Sequence, residues 1–194
     1  MVKKALLSII ILVTSYLIFN QVKKVNFNNK YEVGQPIDSL NNVIVFFNGG
    51  VGNVVQRNTC DGYNLGLEYQ CVEFVKRYYY ENYNHKMPDS YGHAISFYDN
   101  SLTDNKMNKQ RNLTQFSNPS QFKPAIGDLI VMRGTLLNKY GHVAIVSNLF
   151  MDKLEIIQQN AGPFSSSREI FELTKNNDGQ WEIKNERILG WLRK

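Results

Sequence analysis

An uncharged apolar run at residues 5–19, ALLSIIILVTSYLIF, follows Lys3 and Lys4 directly and is closed by Asn20, Gln21 and Lys23. Such a stretch sits inside a soluble fold only as a buried helix, so it divides the chain into itself and whatever folds after it. A membrane-spanning helix takes about 20 apolar residues, and this run is short of that. A cleaved signal would end in small residues of the A-x-A type, which are absent, and no Cys follows the run to accept a lipid. The readings rank as an uncleaved membrane anchor, then a cleaved signal, then a buried core helix. Either of the first two places the remaining chain outside the cytoplasm, held on the cell membrane or exported into a bacterial envelope.

The rest of the chain reads as one unit. Residues 1–24 form the anchor or signal segment, residues 25–32 (with the polar NFNNKY) a linker, and residues 33–194 one domain without repeats or low-complexity tracts. A chain of 194 residues with 43% hydrophobic positions can bury one proper core. The formal charge of +5 comes mostly from the N-terminal segment. Removing Lys3, Lys4, Lys23 and Lys24 from the 22 Lys and Arg leaves 18 against 17 Asp and Glu. A nearly neutral domain lacks the basic face that DNA or RNA binding needs, so no nucleic-acid partner is expected. Cys60 and Cys71 are too few for a disulfide-built fold, although they can pair with each other.

Along the domain, residues 43–47 read as a strand that stops at Asn48, Gly49 and Gly50. Residues 58–67 are polar and glycine-containing and read as loop. From Cys71, the sequence CVEFVKRYYYENY sets Cys71, Val75, Tyr78 and Tyr79 at helical spacing, with Glu73, Lys76, Arg77 and Glu81 elsewhere round the turn. Cys71 therefore opens a helix, whose partial positive charge favours thiolate. Residues 99–120 read as a long surface loop with some helix before it at 92–98. The final third reads as antiparallel strands at 129–132, 142–147 and 154–159, with further strand-like stretches at 168–173 and 181–191. A hairpin with its midpoint near Phe150 sets His142 directly opposite Gln158, about 5 Å apart.

These residues make a constellation suited to amide chemistry. A cysteine amidase needs a thiolate at a helix start, an imidazole that exchanges protons with it, a polar group to orient the imidazole, and donors for the oxyanion. Cys71, His142 and Gln158 fit the first three roles, and the Gln70 side chain with the Cys71 N–H fits the fourth. Each residue taken alone has a plainer reading: a cysteine as core filler, a histidine at a strand start as structural, a lone glutamine as no signal, and Tyr78, Tyr79 and Tyr80 as packing. His85 and His93 are not at ligand spacing and have no carboxylate cluster, so no metal or other cofactor is expected.

The blocks YQCVEFVKRYY, PAIGDLIVM, GHVAIV and EIIQQN resemble, in order and in role, the CHAP domain, the cysteine and histidine dependent amidohydrolase/peptidase family. Within it the chain is most similar to the amidase domain of glutathionylspermidine synthetase/amidases. The likeness extends upstream to NVIVFFN and downstream to SREIFEL and RILGWL, over roughly residues 33–192. It implies an α+β, papain-like (NlpC/P60-type) fold, with the helix carrying the cysteine packed on an antiparallel sheet carrying the histidine. It also implies Cys71 as nucleophile, His142 as base and Gln70 as oxyanion donor. The family usually has a carboxylate where Gln158 stands. An amide still orients a neutral imidazole but stabilises imidazolium less, or Asn160 shares the role. Arg77 matches a basic residue of the family's helix and is a candidate to hold a substrate carboxylate, whereas its neighbour is Lys76 rather than arginine. The implied function is a thiol-dependent amide hydrolase acting on peptidoglycan as amidase or endopeptidase. The alternatives are hydrolysis of a small peptide–polyamine conjugate such as glutathionylspermidine, and a weakly catalytic wall-binding or scaffold role.

Overall fold

The computed structural model describes residues 2–135 and 138–194, beginning with helix α1, Val2–Val22. The helix runs beyond the apolar stretch at both ends. Its 20-residue window Lys3–Val22 is long and apolar enough to cross a membrane and has no residue buried in the protein. At about 1.5 Å per residue it matches the roughly 30 Å of a hydrocarbon core. The segment after it is fastened rather than slack. The Gly52 N–H donates to the Lys23 carbonyl at 2.9 Å and the Asn28 side-chain amide to the Pro163 carbonyl at 2.7 Å.

Two small antiparallel hairpins follow. The first joins β1 (Pro36–Leu40) and β2 (Val43–Phe46). The second joins β3 (Arg57–Cys60) and β4 (Tyr63–Leu67), in the stretch expected to be loop. Its two-residue turn, Asp61-Gly62, has φ values of 48° and 71°, the conformation that Asp-Gly favours between paired strands. Helix α2, Cys71–Tyr83, begins where expected and stops at Asn84, whose left-handed φ of 47° closes it with an N–H bond to the Tyr79 carbonyl. After it come a 3-10 turn at Ala94–Phe97 and an eight-stranded sheet. Its strands are β5 (Lys106–Asn108), β6 (Leu113–Ser117), β7 (Leu129–Met132), β8 (His142–Leu149), β9 (Lys153–Ile157), β10 (Arg168–Lys175), β11 (Trp181–Ile183) and β12 (Ile188–Arg193). The spatial order is β11-β10-β9-β8-β7-β12-β6-β5, antiparallel throughout. Residues 99–120 are thus partly sheet, with Leu113 and Phe116 buried. The sheet curls back on itself: Ser120 bridges Trp181, and Asn118 exchanges side-chain bonds with the Ile183 backbone.

The curl explains why β7 reads LIVM and is buried at every position. Alternate residues of a strand face opposite sides. Leu129, Val131, Val143, Ile145 and Leu192 join the side chains of α2, including Cys71, Phe74, Val75, Tyr78 and Tyr79, in one core. Ile130, Met132, Ala144, Val146 and Trp191 join Leu154, Ile156 and Phe171 in a second core on the other face. Architecture and composition of elements make this an α+β fold. Of the four charged residues of α2, Glu73, Lys76 and Arg77 are buried and Glu81 is exposed. Each buried charge is matched. Arg77 pairs with Glu73 at 2.6 Å and donates to the Ile44 carbonyl, while the Lys76 ammonium donates to the Asn64 and Ser90 carbonyls.

Candidate active site

Cys71 is the first residue of α2, and the chain enters it through a tight turn. Tyr69 has φ 62°, a left-handed conformation uncommon for an aromatic residue, and Gln70 returns to extended geometry at φ −87°, ψ 156°. The turn and the helix set Cys71 against β8, where it shares a core with Val143 and where the Val143 N–H favours the thiolate form. Both cysteines are free, which settles their pairing in this structure. The helix start does not leave Cys71 as a thiolate. Burial pushes its thiol up to about 11, against the smaller opposing effect of the N–H groups of Val143, Val72 and Cys71 itself.

His142 opens β8, next to that Val143. Gly141 before it has φ 76°, and a Cβ there would come within 2.6 Å of the Met132 carbonyl oxygen, so only glycine delivers the chain this closely. The imidazole Nε2 lies 2.9 Å from Gln158 Oε1. The Gln158 amide nitrogen donates to the Ser166 carbonyl at 3.2 Å and to Glu169 Oε2 at 3.4 Å. Those acceptors turn the amide oxygen toward His142, so Nε2 carries the imidazole proton and Nδ1 is left as the acceptor. Burial pulls His142 down to about 4; the Gln158 bond works against this and the charge of Arg187 adds to it. The resting pair is therefore neutral thiol and neutral imidazole.

The pairing arises by a different register from the one expected. Ile145 faces Ile157 and Val146 faces Ile156, after which an irregularity between Val146 and Asn148 shifts the ladder. His142 and Gln158 are thus diagonal rather than directly opposite. Because the offset is an even number of residues, their side chains still share a face.

Gln70 and Asn160 meet each other rather than the imidazole. Asn160 donates to Gln70 Oε1 at 2.7 Å and to the Val51 carbonyl at 3.1 Å, while Gln70 Nε2 donates to the Asn53 carbonyl at 2.6 Å. Asn160 steadies Gln70 and the loop at 51–53, and Gln158 alone orients the ring. Arg77 is held by Glu73 and β2 and lines a separate cleft of about 360 Å³ beside Phe46, Tyr69 and Glu68. That position removes it from the His142 cleft. His85 and His93 take structural places: His85 is buried against the Arg111 carbonyl at 2.8 Å, and His93 lies on the Tyr140 ring at 4.3 Å.

One residue central to the site carries no sequence signal. Gln159 is wholly buried, accepts from the Phe46 N–H at 2.8 Å, and donates to the Gln70 carbonyl at 3.0 Å and to Glu73 Oε2 at 2.9 Å. It ties β2, the start of α2 and the end of β9 into one frame. Glu169 was also not foreseen, since only the fold brings β10 up behind Gln158. On the His142 side lies a cleft of about 640 Å³ lined by His142, Gln158, Asn160 and Arg187, with Phe19 and Lys23 of the N-terminal segment along one wall, while Cys71 lies buried behind this lining rather than on it.

The neutral resting pair has a measurable consequence. Iodoacetamide labelling of Cys71, followed by mass spectrometry, is expected to rise close to tenfold per pH unit from pH 7 to about 10, following the small thiolate fraction of a thiol raised to about 11. A rate plateau between pH 5 and 8 would instead reveal a preformed thiolate–imidazolium pair.

Comparisons with known proteins agree on one kinship. The CHAP domain family profile matches residues 61–160. The bifunctional glutathionylspermidine synthetase/amidases of Escherichia coli (strain K12) and Shigella flexneri are each 30% identical over 156 residues, covering 72% of this chain and 24% of theirs. The chain thus spans about a quarter of the length of the curated relatives it matches. Among solved structures, the crystal structure of Ly7917 aligns with 51% of this chain and 41% of its own at 18% identity and a TM-score of 0.30.

Proposed function

The chain belongs to the CHAP domain family, and from that premise we propose that it is a thiol-dependent amide hydrolase with Cys71 as nucleophile and His142 as base, built on a papain-like pairing of cysteine helix and histidine sheet. What supports this reading is the meeting of α2 and β8: Cys71 shares a core with Val143, the residue beside His142, whose ring is turned by Gln158 so that Nδ1 is the acceptor.

The chemistry proceeds from a neutral pair. As the sulfur attacks the amide carbon, its proton passes to His142 Nδ1, a C–S bond forms, and the carbonyl oxygen becomes an oxyanion. The Cys71 N–H and the second N–H of the Gln70 amide stabilise that charge; Asn53 and Asn160 hold Gln70 in place for it. His142 then protonates the departing nitrogen as the C–N bond breaks, leaving a thioester. Water, losing its proton to His142, releases the acid and restores the thiol. Gln158 supports the imidazolium as an amide dipole, with the Glu169 carboxylate behind it supplying the negative charge that position lacks.

The apolar α1 supports an extracytoplasmic enzyme held on a membrane, and that location favours peptidoglycan amides as substrate. The 30% identity to synthetase/amidases favours glutathionylspermidine as the second candidate. The two are separated by incubating the full chain, in detergent micelles, with purified peptidoglycan and with glutathionylspermidine. New free amino groups from peptidoglycan are expected. Release of spermidine alone would transfer the assignment to the small conjugate, and no product from either, with Cys71 inert to alkylation at every pH, would sink the amidase reading.

A further inference from the structure

The N-terminal helix does more than precede the cleft; it forms part of it. Phe19 and Lys23 line the same cavity as His142 and Gln158. Phe19 stands three residues before the end of α1, about 4.5 Å along a helix axis. The connection allows no play. The Lys23 carbonyl accepts from Gly52, Asn28 is bonded to Pro163, and a Cβ on Gly50 would run into the Lys23 carbonyl, so the chain is seated against a position where only glycine fits. Those contacts bring to the exit of α1 the loops at 51–55 and 161–165, which supply Val51, Ala161 and Ser165 to the cleft lining.

These loops are apolar where they meet solvent. Val51, Val54, Val55 and Phe164 are exposed, with Phe164 at 74% and Val54 at 56%, and Val25 and Phe27 beside them are exposed as well. Isolated exposed apolar side chains are ordinary, but these lie in segments bonded to the exit of a helix none of whose residues in the Lys3–Val22 window is buried. Lys23 and Lys24 stand at the level where a bilayer carries its anionic headgroups. The occupant with this geometry, an apolar core about 30 Å thick ending in a charged layer, is a lipid bilayer.

We infer that the cleft is seated on the bilayer surface, with the loops at 51–55 and 161–165 resting in the headgroup layer, and that its substrate is a peptide amide carried on a membrane-bound molecule. This rests on reading α1 as a membrane anchor and the cleft as an amidase site. A rigidly docked anchor confines the reaction to the first layer above the membrane, where a slack linker would let the domain range outward.

The experiment uses the full chain in vesicles of phosphatidylglycerol and phosphatidylethanolamine, with and without brominated acyl chains that quench tryptophan. Val54→Trp and Phe164→Trp are expected to lose at least half of the fluorescence they add to the parent. Met107→Trp, on β5 four strands from β8, is expected to lose none. Ile11→Trp within α1 reports the anchor itself. Quenching of Ile11→Trp without quenching at Val54→Trp and Phe164→Trp overturns the seating while leaving the anchor; no quenching of Ile11→Trp overturns both. In the same vesicles a peptide amide coupled to a phospholipid headgroup is expected to be cut at least tenfold faster than the free peptide at equal bulk concentration. Equal rates overturn the substrate assignment. Cleavage of neither form counts against the amidase reading, and the quenching still decides the seating.

Discussion

Cys71→Ala is expected to reduce amide hydrolysis by at least about 10⁴-fold in kcat/KM, because in the proposed mechanism nucleophile and base act as one unit and loss of either removes the covalent route. His142→Ala should fall to a similar level, and the double variant hardly further. The substitution is small in structural terms. Cys71 sits at the rim of the α2 core, and alanine keeps the helix start and its N–H groups while removing only the sulfur. Circular dichroism and the melting temperature should therefore move by no more than a few degrees. The measurement is steady-state hydrolysis by parent and variant at matched folded concentration. Residual activity above one per cent would show that another group attacks the amide.

Gly190→Ala is expected to have the largest effect on stability of any single methyl addition. Gly190 lies in β12, hydrogen-bonded between β6 and β7 near the middle of the sheet order, opposite Ser117 on one side and Val131 on the other. A Cβ there would run into the Phe116 carbonyl oxygen and lie 2.8 Å from a ring carbon of Tyr98. Neither neighbour can retreat easily, since Phe116 is held in the ladder and Tyr98 is bonded to Ser117. Overpacking of this kind costs about 3 kcal/mol or more, and for a chain of this length it lowers the melting temperature by about 10 °C. Gly62→Ala is the control. A Cβ there meets nothing within 4 Å, leaving only the strain of its φ of +71°, about 1 kcal/mol. Similar melting curves for the two variants would mean that the sheet yields at β12.

The parts of this molecule legible in the sequence are those in which one periodicity dominates. The helix from Cys71, the β7 run LIVM and the strand after Gly141 all announce themselves through apolar spacing or a glycine. The β3–β4 hairpin does not, because RNTC and YNLGL contain too few apolar residues, and its Asp61-Gly62 turn is the stronger signal. The β5–β6 pair hides in a polar stretch because an edge strand needs only one buried side. Gln158 was found through a register displaced by two positions; an odd displacement would have turned it to the opposite face. Gln159 and the buried Glu73–Arg77 pair were out of reach, since polar side chains enter a core only when partners distant in sequence receive them.

The sheet and the helix laid against it share one core, and the two halves of the site stand on different sides of that seam. His142 belongs to the sheet's hydrogen-bonded ladder, whereas Cys71 belongs to the helix that leans on it. Catalytic competence is therefore a property of how two layers stand together rather than of either layer.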